Sequence, residues 1–276
     1  MPSPTQDATG AVALAEGRLH ALGGTLENDG TLSWFPPSQR GFIPVNCYLL
    51  VEGRQALMID TCLPVFEEAV VRQAGAFDLD EAALLLTRTV EFDSVGNAEP
   101  LLDTLPVRRT YAHFTADEWF YFRVDGSTFQ SDSRDFEFVP FADRMRVTVG
   151  PGRDVTVINA KLKLLATAWV YDHATRTLFT SDSFSHVAAP DAQTRVLDAD
   201  ADTTTGEDVT EHLMTKFDWL SGADTQPLRT FLDGVFAEFD VETIAPASGC
   251  ILRGRAVVER HHGMLDDALL ALGAGS

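Results

Sequence analysis

The sequence predicts an α/β sandwich, and three observations carry that reading. Short apolar strands alternate with stretches of helical spacing, the two halves share a strand-then-helix rhythm without an internal repeat, and 45% of the 276 residues are hydrophobic, enough for a sizeable core. No apolar run approaches the roughly 18–20 residues of a membrane span.

The elements follow in order. Residues 1–10 read as a flexible tail and 11–276 as one domain. Asn46 to Val51 reads as a strand, Glu52-Gly53-Arg54 as a turn, and Ala56 to Asp60 as the hairpin partner. Pro64 to Ala76 has helical spacing, with Val65, Ala69, Val70 and Gln73 in register. Leu84 to Thr87 is a short apolar strand, Asn97 to Leu105 a helix with Pro100 tolerated in its first turn, and Arg108 to His113 another strand. Phe120 to Asp143, rich in Phe and Asp, reads as short antiparallel strands, and the aromatics from Phe114 to Phe141 as core or lid packing. Met145 to Val149 and Asp154 to Ile158 flank a Gly150-Pro151-Gly152 turn; Trp169 to Asp172 and Thr177 to Thr180 form a further hairpin. Residues 198–208 read as an exposed loop, Val209 to Trp219 and Pro227 to Phe239 as helices, Thr243 to Pro246 as a strand and Ala256 to Leu272 as a closing helix.

The formal charge of −20 argues against a nucleic-acid partner, because phosphates attract Lys and Arg. Only Lys161, Lys163 and Lys216 are lysines, which leaves 18 arginines and a well-solvated acidic surface. Met1 to Thr9 lacks the charged-then-apolar order of a secretory leader, so a cytoplasmic protein without membrane attachment is expected. Cys47, Cys62 and Cys250 are odd in number and widely spaced, which predicts buried thiols rather than a disulfide or a catalytic cysteine.

Strand ends that run into polar loops are where α/β proteins place their chemistry. Four stand out: Ile59-Asp60-Thr61, the stretch from Leu86 to Asn97, Leu178 to Phe184, and Ala245 to Cys250. In order and spacing these segments resemble the metallo-β-lactamase superfamily, and within it the oxygen-binding di-iron domain of flavodiiron proteins. The family's opening strand and Ile-Asp-Thr turn are similar to Asn46 to Leu49 and Ile59 to Thr61. Its His-x-Glu-x-Asp-His-x-Gly motif falls on Thr89, Glu91, Asp93, Ser94 and Gly96. The motif that carries its bridging carboxylate falls on Leu178 to Phe184 and puts that role on Asp182. Its last histidine falls on Ser248, and the histidine before the Trp169 hairpin on Lys163, with Thr167 at a small-residue position. The resemblance spans about residues 40–260 and implies a four-layer αββα fold.

The departures from that pattern are informative. Thr89, Ser94, Lys163 and Ser248 stand where the family has histidines, while Glu91, Asp93 and Asp182 keep the carboxylates. Iron and zinc in such sites rely on imidazole nitrogen. An all-oxygen set suits at most a weakly held hard ion, so neither metal nor cofactor is expected. The resemblance places Lys163 among the carboxylates, where its ammonium would relieve their repulsion; Lys161, two residues away, is the alternative. Arg88 is positioned to meet an anionic ligand or to pair with a carboxylate. The candidate residues are therefore Glu91, Asp93, Lys163 and Asp182 for chemistry, and Arg88, Thr89, Ser94 and Ser248 for binding. His186 reads as a surface residue or one beside the site, and His261 and His262 as exposed. No histidine is placed for a Ser-His-Asp triad.

Three functions compete. The first is a metal-free domain that binds a small molecule or a partner subunit, a homo-oligomer included. The second is an enzyme (isomerase, cyclase or hydrolase) that uses Glu91, Asp93 and Lys163 for acid–base work. The third is a residual metallohydrolase or di-iron oxygen-reducing protein, which would need an external electron donor because no flavin domain is evident.

Overall fold

The computed structural model describes residues 10–89, 91–113, 137–163 and 165–273. Most of the predicted tail, and residues 114–136 of the aromatic stretch, lie outside them. The described residues form two compact units. One takes in those within Met1–Gly24, Val45–Asn159 and Leu165–Thr175; the other takes in those within Thr25–Pro44, Ala160–Leu164 and from Arg176 onward.

In the first unit, seven strands form one mixed sheet in simple chain order: β1 (Val12–Ala15), β2 (Leu19–Asn28), β3 (Gly41–Glu52), β4 (Gln55–Ile59), β5 (Glu81–Leu85), β6 (Val107–Ala112) and β7 (Glu137–Pro140). The sequence reading missed β1 and β2. The β3–β4 hairpin is antiparallel, while β4 through β7 run parallel. The short antiparallel strands expected near residue 140 are therefore, in the described part, a single strand parallel to β6. Parallel strands need crossovers, and helices supply them. Helix α1 (Glu67–Ala74) lies between β4 and β5; a single turn α2 (Phe92–Val95) and α3 (Ala98–Thr104) lie between β5 and β6. Central strands of this kind are buried on both faces, which explains the nearly unbroken apolar runs Ala56 to Ile59 and Leu84 to Leu86.

The same unit holds an antiparallel ribbon, β8 (Arg144–Gly150), β9 (Arg153–Asn159) and β10 (Ala168–Asp172). Arg153 at the start of β9 is its anchor. Its side chain is wholly buried, forks onto Asp172 at 2.5 and 3.2 Å, and donates to the carbonyls of Arg18 and Val51 at 2.8 Å each. A buried guanidinium is tolerated because each of these bonds replaces one to water.

The second unit holds β11 (Thr177–Ser181), β12 (Val196–Leu197), β13 (Thr243–Pro246) and β14 (Ile251–Arg253). Here β13 lies between β11, parallel to it, and β14, antiparallel to it, with β12 parallel on the far side of β14. Three helices pack beside them: α4 (Gly206–Lys216), α5 (Gln226–Glu238) and α6 (Arg255–Leu272). A capping box between Thr205 and Asp208 starts α4. In α6, Val257, Val258, His261, Leu265, Ala268 and Leu269 form the buried stripe, at the spacing a one-sided helix requires. Two mixed sheets and their helices make the α/β class predicted from sequence. No described helix is long and apolar enough to cross a membrane. All three cysteines are free and buried, as predicted.

Candidate functional site

In the first unit the candidate residues gather where β4 and β5 end, at the carboxyl ends of parallel strands. The organising group is Asp60, in the residue after β4, held at φ +58°. Its buried carboxylate accepts the Thr87 N–H at 2.7 Å, the Thr87 hydroxyl at 2.7 Å and the Ser94 hydroxyl. Burial pushes its pKa up to about 6; the hydrogen bonds from Ser94 and Thr87 oppose that rise, and the charge of Asp93 adds to it. Thr61 donates its hydroxyl to the Ser94 carbonyl at 3.0 Å and accepts the Asn97 N–H at 3.0 Å. The Asn97 amide reaches back to the carbonyls of Thr61, Leu63 and Cys62. The loops after β4 and β5 are thereby stitched into one piece.

On this frame sit five of the sequence-predicted residues. Ser94 donates to Asp60 and accepts the Arg88 N–H at 3.1 Å, so its oxygen is committed to the loop itself. Thr89 accepts the His113 N–H at 3.1 Å. Glu91 is half-buried at the start of α2, and its carbonyl accepts the Ser94 and Val95 N–H groups at 3.0 Å. Arg88 and Asp93 form an ion pair, with side chains 8% and 18% exposed. The cation beside Asp93 is therefore the guanidinium five residues earlier on the same loop.

The remaining three lie in the second unit, and there their segments adjoin. After β11 the chain turns tightly. The Thr180 hydroxyl donates to the Ser183 carbonyl at 2.8 Å, and the Ser185 hydroxyl to the Asp182 carbonyl at 2.7 Å; Asp182 itself is buried. The loop of Ser248 is tied to this turn by the Ala247 N–H on the Ser181 carbonyl at 2.7 Å and the Cys250 N–H on the Val187 carbonyl at 2.8 Å. Gly249 is obligatory between them: at φ +86°, a Cβ there would lie 2.8 Å from the Ser185 carbonyl oxygen. The loop of Lys163 meets the same turn, where the Ser183 hydroxyl lies 3.5 Å from the Leu162 carbonyl. Lys163 is half-buried, whereas Lys161 is exposed. Among the described residues no group of three His, Cys, Asp or Glu side chains is disposed to hold a metal ion.

Comparison with solved structures identifies the architecture. Rubredoxin oxygen:oxidoreductase from Desulfovibrio gigas superposes with a TM-score of 0.70 at 15% identity, over 94% of this chain and 61% of that one. The flavodiiron protein from Giardia intestinalis gives 0.66 at 14%, over 98% and 61%. The fold is that of the metallo-β-lactamase-like core of flavodiiron proteins. The chain spans about three fifths of the length of these two proteins. The apo state of the chemotaxis sensor ODP from T. denticola superposes on this chain with a TM-score of 0.57 at 17% identity, over 91% of each chain. No family model and no curated protein matches the sequence.

Two features escaped the sequence reading. One is Asp60, noted only as a strand end; a carboxylate closing an apolar strand beside Thr61 was the available signal. The other is a histidine cluster in the second unit. His261, expected on the surface, is fully buried, and so are His186, His212 and the side chain of Asp202 in the loop expected to be exposed. These residues are scattered through the sequence and share no spacing. Only the position of His261 in the stripe of Val257, Val258 and Leu265 marked it as inward-facing.

Proposed function

We propose that this chain is a metal-free, cytoplasmic domain of flavodiiron-type fold that acts by binding a small molecule or a partner subunit. The observation that carries the reading is the Arg88–Asp93 ion pair. A carboxylate at a position that resembles a metal ligand already has a cation, one that no divalent ion displaces without leaving a guanidinium largely buried and uncompensated. Support comes from Ser94 and Thr89, whose oxygens serve Asp60 and the His113 N–H. Hydroxyls so engaged are poor replacements for imidazole nitrogen, and this donor set does not fit the iron pair that the fold family implies. The ion pair also weighs against the acid–base reading, because Asp93 is engaged by a guanidinium on its own loop. A binding role suits a fold that also serves a protein described as a chemotaxis sensor.

The test is metal analysis of protein purified without chelator, then incubated with Fe(II) or Zn(II) and desalted. Less than one equivalent of either is expected. Stoichiometric iron or zinc that is lost in Asp93→Asn or Asp182→Asn overturns the reading and restores the metalloenzyme alternative. Light scattering in solution measures the partner-subunit arm directly, with a second copy of the chain as the expected partner.

A further inference from the structure

The second unit contains a buried array of imidazoles that the binding reading does not use. His261, on α6, places its Nε2 2.9 Å from Asp202 Oδ2, and its Nδ1 lies 2.8 Å from Nε2 of His186. The His212 ring, on α4, lies 6.1 Å from that of His186 and 5.0 Å from Phe35, and its Nε2 is 3.0 Å from the Ser185 hydroxyl. All three histidines are at most 2% exposed.

Hydrogen-bond logic sets the tautomers. Asp202 only accepts, so His261 donates through Nε2; with a single proton on His261 its Nδ1 accepts from His186 Nε2. Ser185 spends its proton on the Asp182 carbonyl, so His212 donates to Ser185 through Nε2. That leaves His212 Nδ1 bare, buried and without a partner among the described residues. This arrangement needs no added proton on His186 or His212.

The surrounding charges do not favour added protons. Lys216 on α4 donates to Ser185 at 3.3 Å, and Arg260 on α6 already pairs with Asp202 at 3.0 Å. On neighbouring segments, Asp182 lies on the same turn, and Arg195, Asp202 and Asp191 act on the buried Cys250 thiol, whose pKa burial pushes up to about 12. On the outer side of α4, Glu211 accepts the Ser38 hydroxyl. Burial, and then His261, pushes the His186 pKa down to about 3 against the upward pull of Asp202; burial, and then Lys216, pushes that of His212 well below its usual value. Asp202 is held low because hydrogen bonds from His261 and Thr204 outweigh the upward push of burial.

We propose that His186, His212 and His261, with Asp202, form a proton-operated latch, which ties the 198–205 loop to α6 and the Ser185–His186 turn to α4 and α6 at neutral pH, and opens when acid charges His186 and His212. The loop is fixed to α6 solely by polar bonds to His261 and Arg260 among those described for it, the latter also donating to the carbonyls of Asp202 and Thr204. Opening also frees Ser185 from His212, and with it the turn that carries Asp182. The latch is a regulatory device and stands whether or not the binding reading does.

Hydrogen exchange of the full chain, read by mass spectrometry from pH 7.5 to 5 and corrected for intrinsic rates, tests it. Below the imidazole range the opening equilibrium should rise about tenfold per pH unit for each ring charged on opening, or about a hundredfold for His186 and His212 together. Peptides within 198–217 and 255–265 should lose protection while β8 to β10 keep theirs. His186→Gln combined with His212→Gln keeps both donor bonds and takes up no proton, so the acid response should shrink by about a hundredfold per pH unit. Retained protection in wild type at pH 5, or an unchanged response in the double variant, overturns the proposal. Should the double variant not fold, imidazole NMR of wild type decides: rings that stay neutral until the peptides open support the latch, and rings that charge within the closed state refute it.

Discussion

Asp60→Asn isolates the one carboxylate that organises the first unit's site. The folded pKa of about 6 against an ordinary 3.8 means that ionised Asp60 opposes folding. A raised acid pKa gives stability that is fully present below the unfolded value and is lost as pH rises through the folded one. At about 1.4 kcal/mol per unit, the gap of roughly two units is worth about 3 kcal/mol, lost between pH 4 and 6. Asparagine keeps the oxygen that accepts from the Thr87 N–H and the Ser94 hydroxyl, and turns an amide toward the Thr87 hydroxyl, which can accept. The variant should fold and should lack this pH dependence. Urea unfolding of both proteins at half-unit steps from pH 4 to 8, followed by tryptophan fluorescence, gives the difference in stability. Histidine titration is common to both proteins and cancels. The difference should move by about 3 kcal/mol in favour of the variant as pH rises from 4 to 7. A difference that is flat across this range would refute a buried, high-pKa Asp60. Asp60→Ala, which strands three buried donors, should instead destabilise at every pH, by about 1–3 kcal/mol for each donor left unmet.

Other expectations follow from the same geometry. Arg88→Met and Asp93→Asn should each lower stability, and the double variant should fall short of their sum by about 1–3 kcal/mol in chemical denaturation, since the two share one ion pair. Arg153→Met leaves Asp172 buried without its partner and should cost about 3–5 kcal/mol by urea unfolding; Arg153→Met with Asp172→Leu should recover part of that loss. Gly249→Ala should cost about 1–3 kcal/mol in thermal unfolding, because the backbone is left-handed and the Ser185 carbonyl blocks the new Cβ.

Much of the fold was legible in the sequence because periodicity is local. The β3–β4 and β8–β9 hairpins, the strand at Trp169, and the three helices of the second unit each announce themselves within a dozen residues, through alternation, a glycine turn or a one-sided stripe. The N-terminal strands β1 and β2 were missed because Ala, Gly and Leu dominate them, with little of the β-branched or aromatic signal that marks a strand. The pairing of β7 parallel to β6 was likewise hidden, since its partner lies 28 residues earlier.

The sequence alone determined that four strand-end loops carry the polar residues, and its resemblance to the fold family gave the expectation that Thr89, Ser94, Lys163 and Ser248 stand where that family has histidines. It could not determine what those residues do instead. Only the tertiary structure decided that Ser94 turns to Asp60, that Arg88 takes Asp93, and that His186, His212 and His261 meet around Ser185 and Asp202. The reason is physical. A hydrophobic pattern is written in neighbours along the chain, whereas a buried polar group is satisfied by whichever donor or charge the fold brings within about 3 Å, and the histidine network joins residues up to 75 positions apart.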